Sequence, residues 1–228
     1  MYNYHFDIIE KEASFMFSTA VIHKFDTDQK AVAFTFDDGP HPVYTPQILD
    51  IFREAGAAAK ATFFMVGSQI EQYPELARTV HGEGHEIGNH TYTHPYLSKL
   101  SAEEFAEEVI RTERLIQETI GVKPLTFRPP YFDYNEQAAE WISSRGYITA
   151  GAVNGEAMDW EQPGVAHIVE KTREKLSPGS VLLFHDGFGD RSQTVEAVRT
   201  LVTELAAEGY RLVTVSDLVR MSSSVRGE

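Results

Sequence analysis

Cysteine is absent from the 228-residue chain, which excludes disulfide bonds and thiolate metal sites. Any bound metal ion must therefore be held by histidine and carboxylate ligands. Long apolar runs are also lacking: none approaches the roughly 20 residues of a membrane-spanning helix, and residues 1–30 contain no run suited to a signal peptide. The sequence predicts no membrane span, and a cytoplasmic location unless an export signal was trimmed.

Basic residues are scarce. Lys and Arg number 20 against 34 Asp and Glu, for a formal net charge of −14. This balance argues against nucleic acid or an anionic membrane surface as a partner, because both attract a basic face. The length suits one domain of the barrel kind or two small ones. No linker rich in Pro, Gly or Ser divides the chain, so we expect a single domain over residues 1–228, and a monomer is favoured.

Short apolar runs alternate with helical patterns from residue 31 onward, which predicts parallel βαβ units. Ser101 and Glu104 form a capping box before an apolar stripe that ends at Gly121, and a second amphipathic helix ends near Gly209. Alternating aromatic and polar residues predict a β-hairpin within residues 1–30. The seven predicted strands are Val32–Phe36, Ala61–Val66, Glu86–Gly88, Leu125–Arg128, Tyr147–Ala152, Val181–Phe184 and Leu212–Val215.

Reactive side chains stand at or just after the ends of several predicted strands. A ring of such residues at the carboxyl ends of many strands is typical of a barrel, whereas a doubly wound sheet gathers its site at one switch point, usually with a glycine-rich turn. No G-x-G-x-x-G motif occurs. The pattern favours a barrel over a doubly wound sheet for residues 31–220. The residues in question are Asp37, Asp38, His90, Arg128, Asp159 and His185.

Two motifs contain candidate metal ligands. Asp37 and Asp38 end a strand in T-F-D-D-G-P, where one carboxylate can bind a metal and the other act as a base, although a solvated turn explains the pair equally well. His90 and His94 in H-T-Y-T-H can meet one ion if the segment is helical or a tight turn. With Asp38 they would form a facial triad that suits Zn²⁺ or another first-row ion.

The segment R-P-P-Y contains a candidate oxyanion donor. Arg128 ends a strand, and the two prolines that follow have no N–H group. The N–H of Tyr131 is then the first free backbone donor after Arg128, and it could face a developing oxyanion. A rigid loop with a structural arginine is the alternative.

His185 and Asp159 form a candidate acid pair. His185 ends a buried strand and could act as a general acid, with its pKa raised by a carboxylate such as Asp159. A structural histidine is the alternative. Trp160 could form the floor of a sugar site, although core packing is the commoner use of tryptophan.

Together these segments resemble the polysaccharide deacetylases of carbohydrate esterase family 4, which contain the NodB-homology domain. The resemblance covers roughly residues 30 to 220 and rests on five motifs in the family's order. One such motif is weak, but five in order are highly specific. The motifs are T-F-D-D-G-P at 35–40, H-T-Y-T-H at 90–94, R-P-P-Y at 128–131, D-W at 159–160 and L-L-F-H at 182–185.

The resemblance implies an α/β fold, a distorted (β/α) barrel with about seven parallel strands. It also implies a metal-dependent hydrolase that removes the acetyl group from N-acetylglucosamine-type glycans such as peptidoglycan, chitin or chitooligosaccharides. Asp37 would be the base, oriented by Arg128, and His185 would be the acid, tuned by Asp159. The implied ligands of one divalent ion are Asp38, His90 and His94, with Zn²⁺ favoured over Co²⁺, Ni²⁺ or Mn²⁺. Substrate contacts are implied for Pro130, Tyr131, Trp160 and Leu183, with the Tyr131 N–H in the oxyanion hole.

Two departures from the family pattern concern the substrate groove. Phe132 stands where the family often has glycine, and Glu156 replaces the first aspartate of D-x-x-D-W. An O-acetyl esterase of the acetylxylan type and a small-amide hydrolase therefore stay open as alternatives. An inactive carbohydrate-binding relic is disfavoured, because every implied catalytic position holds a competent residue.

Overall fold

The computed structural model describes residues 19–222. Within them, seven parallel strands form a curled sheet, a distorted half-barrel. The α/β fold and the strand number agree with the sequence prediction. The strands are β1 Ala31–Asp37, β2 Thr62–Met65, β3 Glu86–Asn89, β4 Thr126–Phe127, β5 Ile148–Thr149, β6 Val181–His185 and β7 Arg211–Leu212. They lie in the order β5-β4-β3-β2-β1-β6, with β7 paired to the start of β1.

Helices cover the outer face of the sheet. The longest helix, Ala102–Ile120 (α4), begins at the predicted Ser101–Glu104 capping box. It ends at Gly121, whose φ of 78° is the left-handed conformation that glycine adopts without strain. The second predicted amphipathic helix is α7. The helices are α1 Tyr44–Ala55, α2 Gly67–Gln72, α3 Pro74–Gly82, α4 Ala102–Ile120, α5 Glu136–Ser144, α6 Val165–Lys175, α7 Ser192–Ala207 and α8 Val215–Met221. None of these helices has the length and apolarity needed to cross a membrane.

Alternation along β1 separates the core from the site. Phe34 and Phe36 point outward and join Phe52 of α1 and Phe184 of β6 in the largest apolar cluster. Because successive strand side chains face opposite sides, Thr35 and Asp37 point inward. Fully burying each phenylalanine stabilises the fold by about 1.5–3 kcal/mol. The sheet therefore packs on its helical side through these rings. Its inner face holds both a second apolar cluster, which includes Ala31, Ala33 and Val219, and polar groups such as Thr35 and Asp37.

The described part of the N-terminal segment closes the gap between the edge strands. Ile22 bridges to Ala150 after β5, and Lys24 bridges to Ser180 before β6. The predicted hairpin falls mainly on residues 1–18, which lie outside the described residues. Residues 19–30 thus contribute isolated bridges to both edges of the sheet.

Candidate active site

A cavity of about 610 Å³ opens at the carboxyl ends of the strands. Most of the predicted site residues line it. Arg128 and Asp159 lie behind its wall, and Pro129 rather than the predicted Pro130 reaches its surface. The lining residues are Asp37, Asp38, His90, Thr93, His94, Pro129, Tyr131, Phe132, Trp160, Leu183, His185, Phe188 and Arg191.

Three side chains converge as a candidate metal site. One ligand atom from each of Asp38, His90 and His94 lies within 4.8 Å of the others. The Nε2 atoms of His94 and His90 are 3.2 and 3.7 Å from Asp38 Oδ1, a buried oxygen that accepts no hydrogen bond. Such an oxygen beside two imidazoles fits a divalent cation, which would satisfy it. The triad is therefore consistent with a divalent metal.

The two histidines meet through a tight turn, one of the two geometries that their spacing allowed. Thr91 and His94 have φ of 65° and 59°, which folds the chain back without a helix. Nδ1 of His90 lies 2.7 Å from the carbonyl oxygen of Arg128, which leaves Nε2 for the cavity. Burial lowers the pKa of His94 to about 3, so this imidazole is neutral, the form that binds metals.

Asp37 is held in its ionised form by Arg128. Nη1 of the fully buried guanidinium donates to Asp37 Oδ1 at 2.7 Å and to Thr35 Oγ1 at 2.7 Å. Nη2 and Nε bind the carbonyl oxygens of Gly151 and Ala150. Burial acts to raise the pKa of Asp37, but the charge of Arg128 and of nearby histidines outweighs it and the pKa is lowered. A buried carboxylate that stays charged can accept a proton.

His185 is the register partner of Asp37 on the neighbouring strand β6. Its pKa is shifted in the opposite direction to that of Asp37. Its Nδ1 lies 2.8 Å from Asp159 Oδ1, while Asp159 Oδ2 accepts from the backbone N–H of His185 and from Thr194 Oγ1. Burial acts to lower the pKa of His185, but the charge and hydrogen bond of Asp159 raise it to about 9. A protonated imidazole and an ionised carboxylate thus lie on adjacent strands and both line the cavity.

The loop after β4 presents a backbone donor. The N–H groups of Phe132 and Asp133 donate to the carbonyls of Pro129 and Pro130, whereas no hydrogen bond among the described residues uses the N–H of Tyr131. Tyr131 and Phe132 have φ of 58° and 53°, so the turn that follows the prolines is left-handed. This geometry leaves a free donor at the cavity.

Aromatic side chains form the rim. Trp160 is 38% exposed, and its ring meets that of His185 edge-on at 5.4 Å, so it lies at the cavity and not in the core. The sequence analysis did not single out Phe188, whose ring centroid is 5.9 Å from that of His94. It also missed Arg191, which is buried and donates to the carbonyls of Gly187 and Trp160. Phe188 and Arg191 follow shortly after the end of β6, and that position was the signal in the sequence that could have identified them.

Similarity to known proteins covers most of the chain. The family model described as polysaccharide deacetylase matches residues 24–150. The chain is 41% identical over 194 residues to a peptidoglycan-N-acetylglucosamine deacetylase of Bacillus cereus, which covers 85% of this chain and 90% of that protein. It is 32% identical over 197 residues to a chitooligosaccharide deacetylase of Azorhizobium caulinodans, with 81% and 92% covered.

Solved structures share the fold. A peptidoglycan N-acetylglucosamine deacetylase in complex with 4-naphthalen-1-yl-N-oxidanyl-benzamide superposes with a TM-score of 0.81 at 30% identity, covering 90% of this chain and 94% of that one. A family 4 pseudoenzyme from Bacillus anthracis superposes with a TM-score of 0.79 at 27% identity, covering 89% and 69%. The fold therefore occurs both in deacetylases and in a pseudoenzyme, and the site residues must distinguish them.

Proposed function

Because the chain belongs to the polysaccharide deacetylase family, we propose that it hydrolyses the N-acetyl group of N-acetylglucosamine residues in a glycan and releases acetate. The observation that carries the proposal is the pairing of an ionised Asp37 with a protonated His185 beside the Asp38–His90–His94 triad. Amide hydrolysis needs a base to activate water and an acid to protonate the departing nitrogen.

The proposed metal ligands are Asp38, His90 and His94, and Zn²⁺ is the proposed ion because two imidazoles and one carboxylate suit it. Co²⁺, Ni²⁺ and Mn²⁺ are the alternatives. When bound, the ion would supply Lewis acidity toward the acetyl carbonyl and lower the pKa of water. The buried, unpaired Oδ1 of Asp38 supports this assignment.

Asp37 is the proposed base. It takes a proton from the attacking water as the new C–O bond forms, and Arg128 keeps its carboxylate oriented through the 2.7 Å hydrogen bond. His185, oriented by Asp159, donates its Nε2 proton to the nitrogen as the C–N bond breaks. The products are acetate and a free amine. An amine is a poor leaving group unless protonated, which explains why the site needs both groups.

The remaining contacts bind the acetyl group. The free N–H of Tyr131 is the proposed donor to the oxyanion. Trp160 and Leu183 line the cavity and offer an apolar surface to the acetyl methyl. Pro129 and Pro130 precede the turn at Tyr131. Pro129 lines the cavity, whereas the proposed role of Pro130 is to fix the conformation of that turn.

The proposed substrate is the N-acetylglucosamine of peptidoglycan, supported by the 41% identity to a deacetylase with that substrate. Chitooligosaccharides are the second candidate, supported by the 32% identity to a chitooligosaccharide deacetylase. Acetate and free amine would be measured in parallel on peptidoglycan, chitooligosaccharides, acetylxylan and a small N-acetyl amide. We expect equal amounts of acetate and amine, with the highest rate on peptidoglycan.

Each alternative gives a different result in this panel. Acetate release from acetylxylan alone, without any free amine, would make the protein an O-acetyl esterase. Turnover confined to the small amide would exclude a glycan substrate. A protein that binds metal and releases nothing from any substrate would be a pseudoenzyme like its Bacillus anthracis relative.

A further inference from the structure

The turn between the two histidines, the ligand loop (residues 90–94), is held by two side chains outside the proposed ligand set. Asn89 Oδ1 accepts from the N–H of Thr91 at 2.9 Å. Glu108 Oε2 accepts from the N–H of Tyr92 at 2.8 Å and of Thr93 at 2.7 Å. Every backbone N–H between the two histidines therefore donates to a side chain.

Glu108 makes the larger share of these bonds. Its second oxygen, Oε1, accepts from the hydroxyl of Thr93 at 2.7 Å. The guanidinium of Arg111, three residues further along α4, is directed instead to Tyr92 and Glu71. The charge of Glu108 is thus met by donors of the ligand loop, and hydrogen bonds to a carboxylate are about twice as strong as neutral ones.

The ligand loop needs such support because of its backbone conformation. Thr91 and His94 both have positive φ, a region that residues other than glycine adopt only with backbone strain. On the opposite side, the N–H groups of Gly67 and Ser68 donate to the carbonyls of Thr91 and Tyr92. The loop is therefore held between α2 and α4, and Glu108 is the only carboxylate among the described residues that binds its backbone N–H groups.

We propose that Glu108 is a positioning residue for the metal centre, which sets the separation of His90 and His94 through the three bonds that it accepts from Tyr92 and Thr93. The inference rests on the proposed metal site. Residues that orient metal ligands typically change affinity about 10- to 100-fold when removed. Anchorage on α4 suits this role, because Phe105 and Val109 bury that helix against the core.

A purely structural role makes a different prediction. If Glu108 only docked α4 onto the loop, its removal would lower the unfolding temperature of the metal-free protein and leave the affinity for metal unchanged. If it positions the ligands, the Zn²⁺ dissociation constant itself must rise.

The test measures Zn²⁺ affinity by competition with a chromogenic chelator in the wild type and four variants. We expect Glu108→Ala to weaken binding about 10- to 100-fold. Glu108→Gln keeps one oxygen that can accept from both N–H groups, so we expect a loss of only a few-fold. Glu108→Asp keeps the charge but shortens the reach, so its loss should fall between those of the other two. Glu107→Ala is the matched control, since Glu107 is exposed on the same helix and should bind as the wild type does.

The outcomes separate this inference from the proposed function. Wild-type affinity in Glu108→Ala overturns the positioning role and leaves the metal site standing. A wild type that binds no Zn²⁺ overturns both. If Glu108→Ala does not fold, as judged by circular dichroism of the metal-free protein, Glu108→Asp carries the test, and an affinity equal to that of the wild type in this variant contradicts the proposal.

Discussion

Replacing Asp159 by asparagine should make the activity of the protein sharply more sensitive to alkaline pH. Asparagine has nearly the same shape and keeps one oxygen that can accept from His185 Nδ1, but it removes the negative charge and places an NH2 group where Asp159 Oδ2 accepts from the His185 N–H and from Thr194 Oγ1. The charges of Asp37 and Asp38 also raise the pKa of His185, but the largest contribution to its value of about 9, against the opposing effect of burial, comes from the charge of Asp159. Without it the pKa should fall to its ordinary value or below.

The magnitude follows from the two pKa values. At pH 8 an imidazole with a pKa of about 9 is about 90% protonated, whereas one with a pKa of about 6.5 is about 3% protonated. The acid form therefore becomes about 30-fold scarcer in the variant. At pH 6 the His185 imidazole is mostly protonated in both proteins, so the ratio of the two protonated fractions shrinks to less than about twofold.

The assay is kcat/KM for amine release from a chitooligosaccharide between pH 6 and pH 8.5, with Zn²⁺ in constant excess. We expect the ratio of wild type to Asp159→Asn to rise more than tenfold across that range. A ratio that stays constant with pH would refute the reasoning, because it would mean that Asp159 acts without changing the protonation of His185.

Three further substitutions test the remaining assignments. Asp37→Asn should abolish turnover with Zn²⁺ affinity largely intact, and loss of the metal would mean that the two aspartates have the opposite roles. His185→Ala should reduce cleavage of an amide far more than cleavage of an activated acetyl ester, whose leaving group needs no proton; equal losses would exclude a general acid. Arg128→Leu leaves the buried Asp37 charge unpaired, so urea unfolding should show a loss of about 3–5 kcal/mol. Less than about 1 kcal/mol would contradict the buried ion pair.

The sequence was most informative where local chemistry decides the structure. The capping box at Ser101 and the glycine at 121 set the limits of α4 because both act within one helical turn. Asp37 and His185 could be placed at strand ends because parallel strands with a helical layer leave their carboxyl ends at one edge. The order of the five motifs then identified the family that the comparisons confirm.

The sequence could not show contacts between distant segments. Nothing in the local pattern connects Glu108 to the ligand loop, since the contact depends on how α4 lies against β3. The choice of Pro129 over Pro130 at the cavity depends on the left-handed turn at Tyr131, a backbone conformation that the residue types do not specify. The bridges of Ile22 and Lys24 to the sheet edges likewise depend on a gap that only the assembled barrel has.

The most direct test of the account is the metal dependence of amine release from N-acetylglucosamine oligomers. The protein would be stripped with a chelator, assayed, and assayed again after addition of Zn²⁺, with His94→Ala treated in parallel. The account predicts no release from the stripped protein, full recovery with Zn²⁺, and little recovery in the variant. Equal release with and without metal, or full recovery in His94→Ala, would contradict the claim that Asp38, His90 and His94 form the centre of this hydrolase.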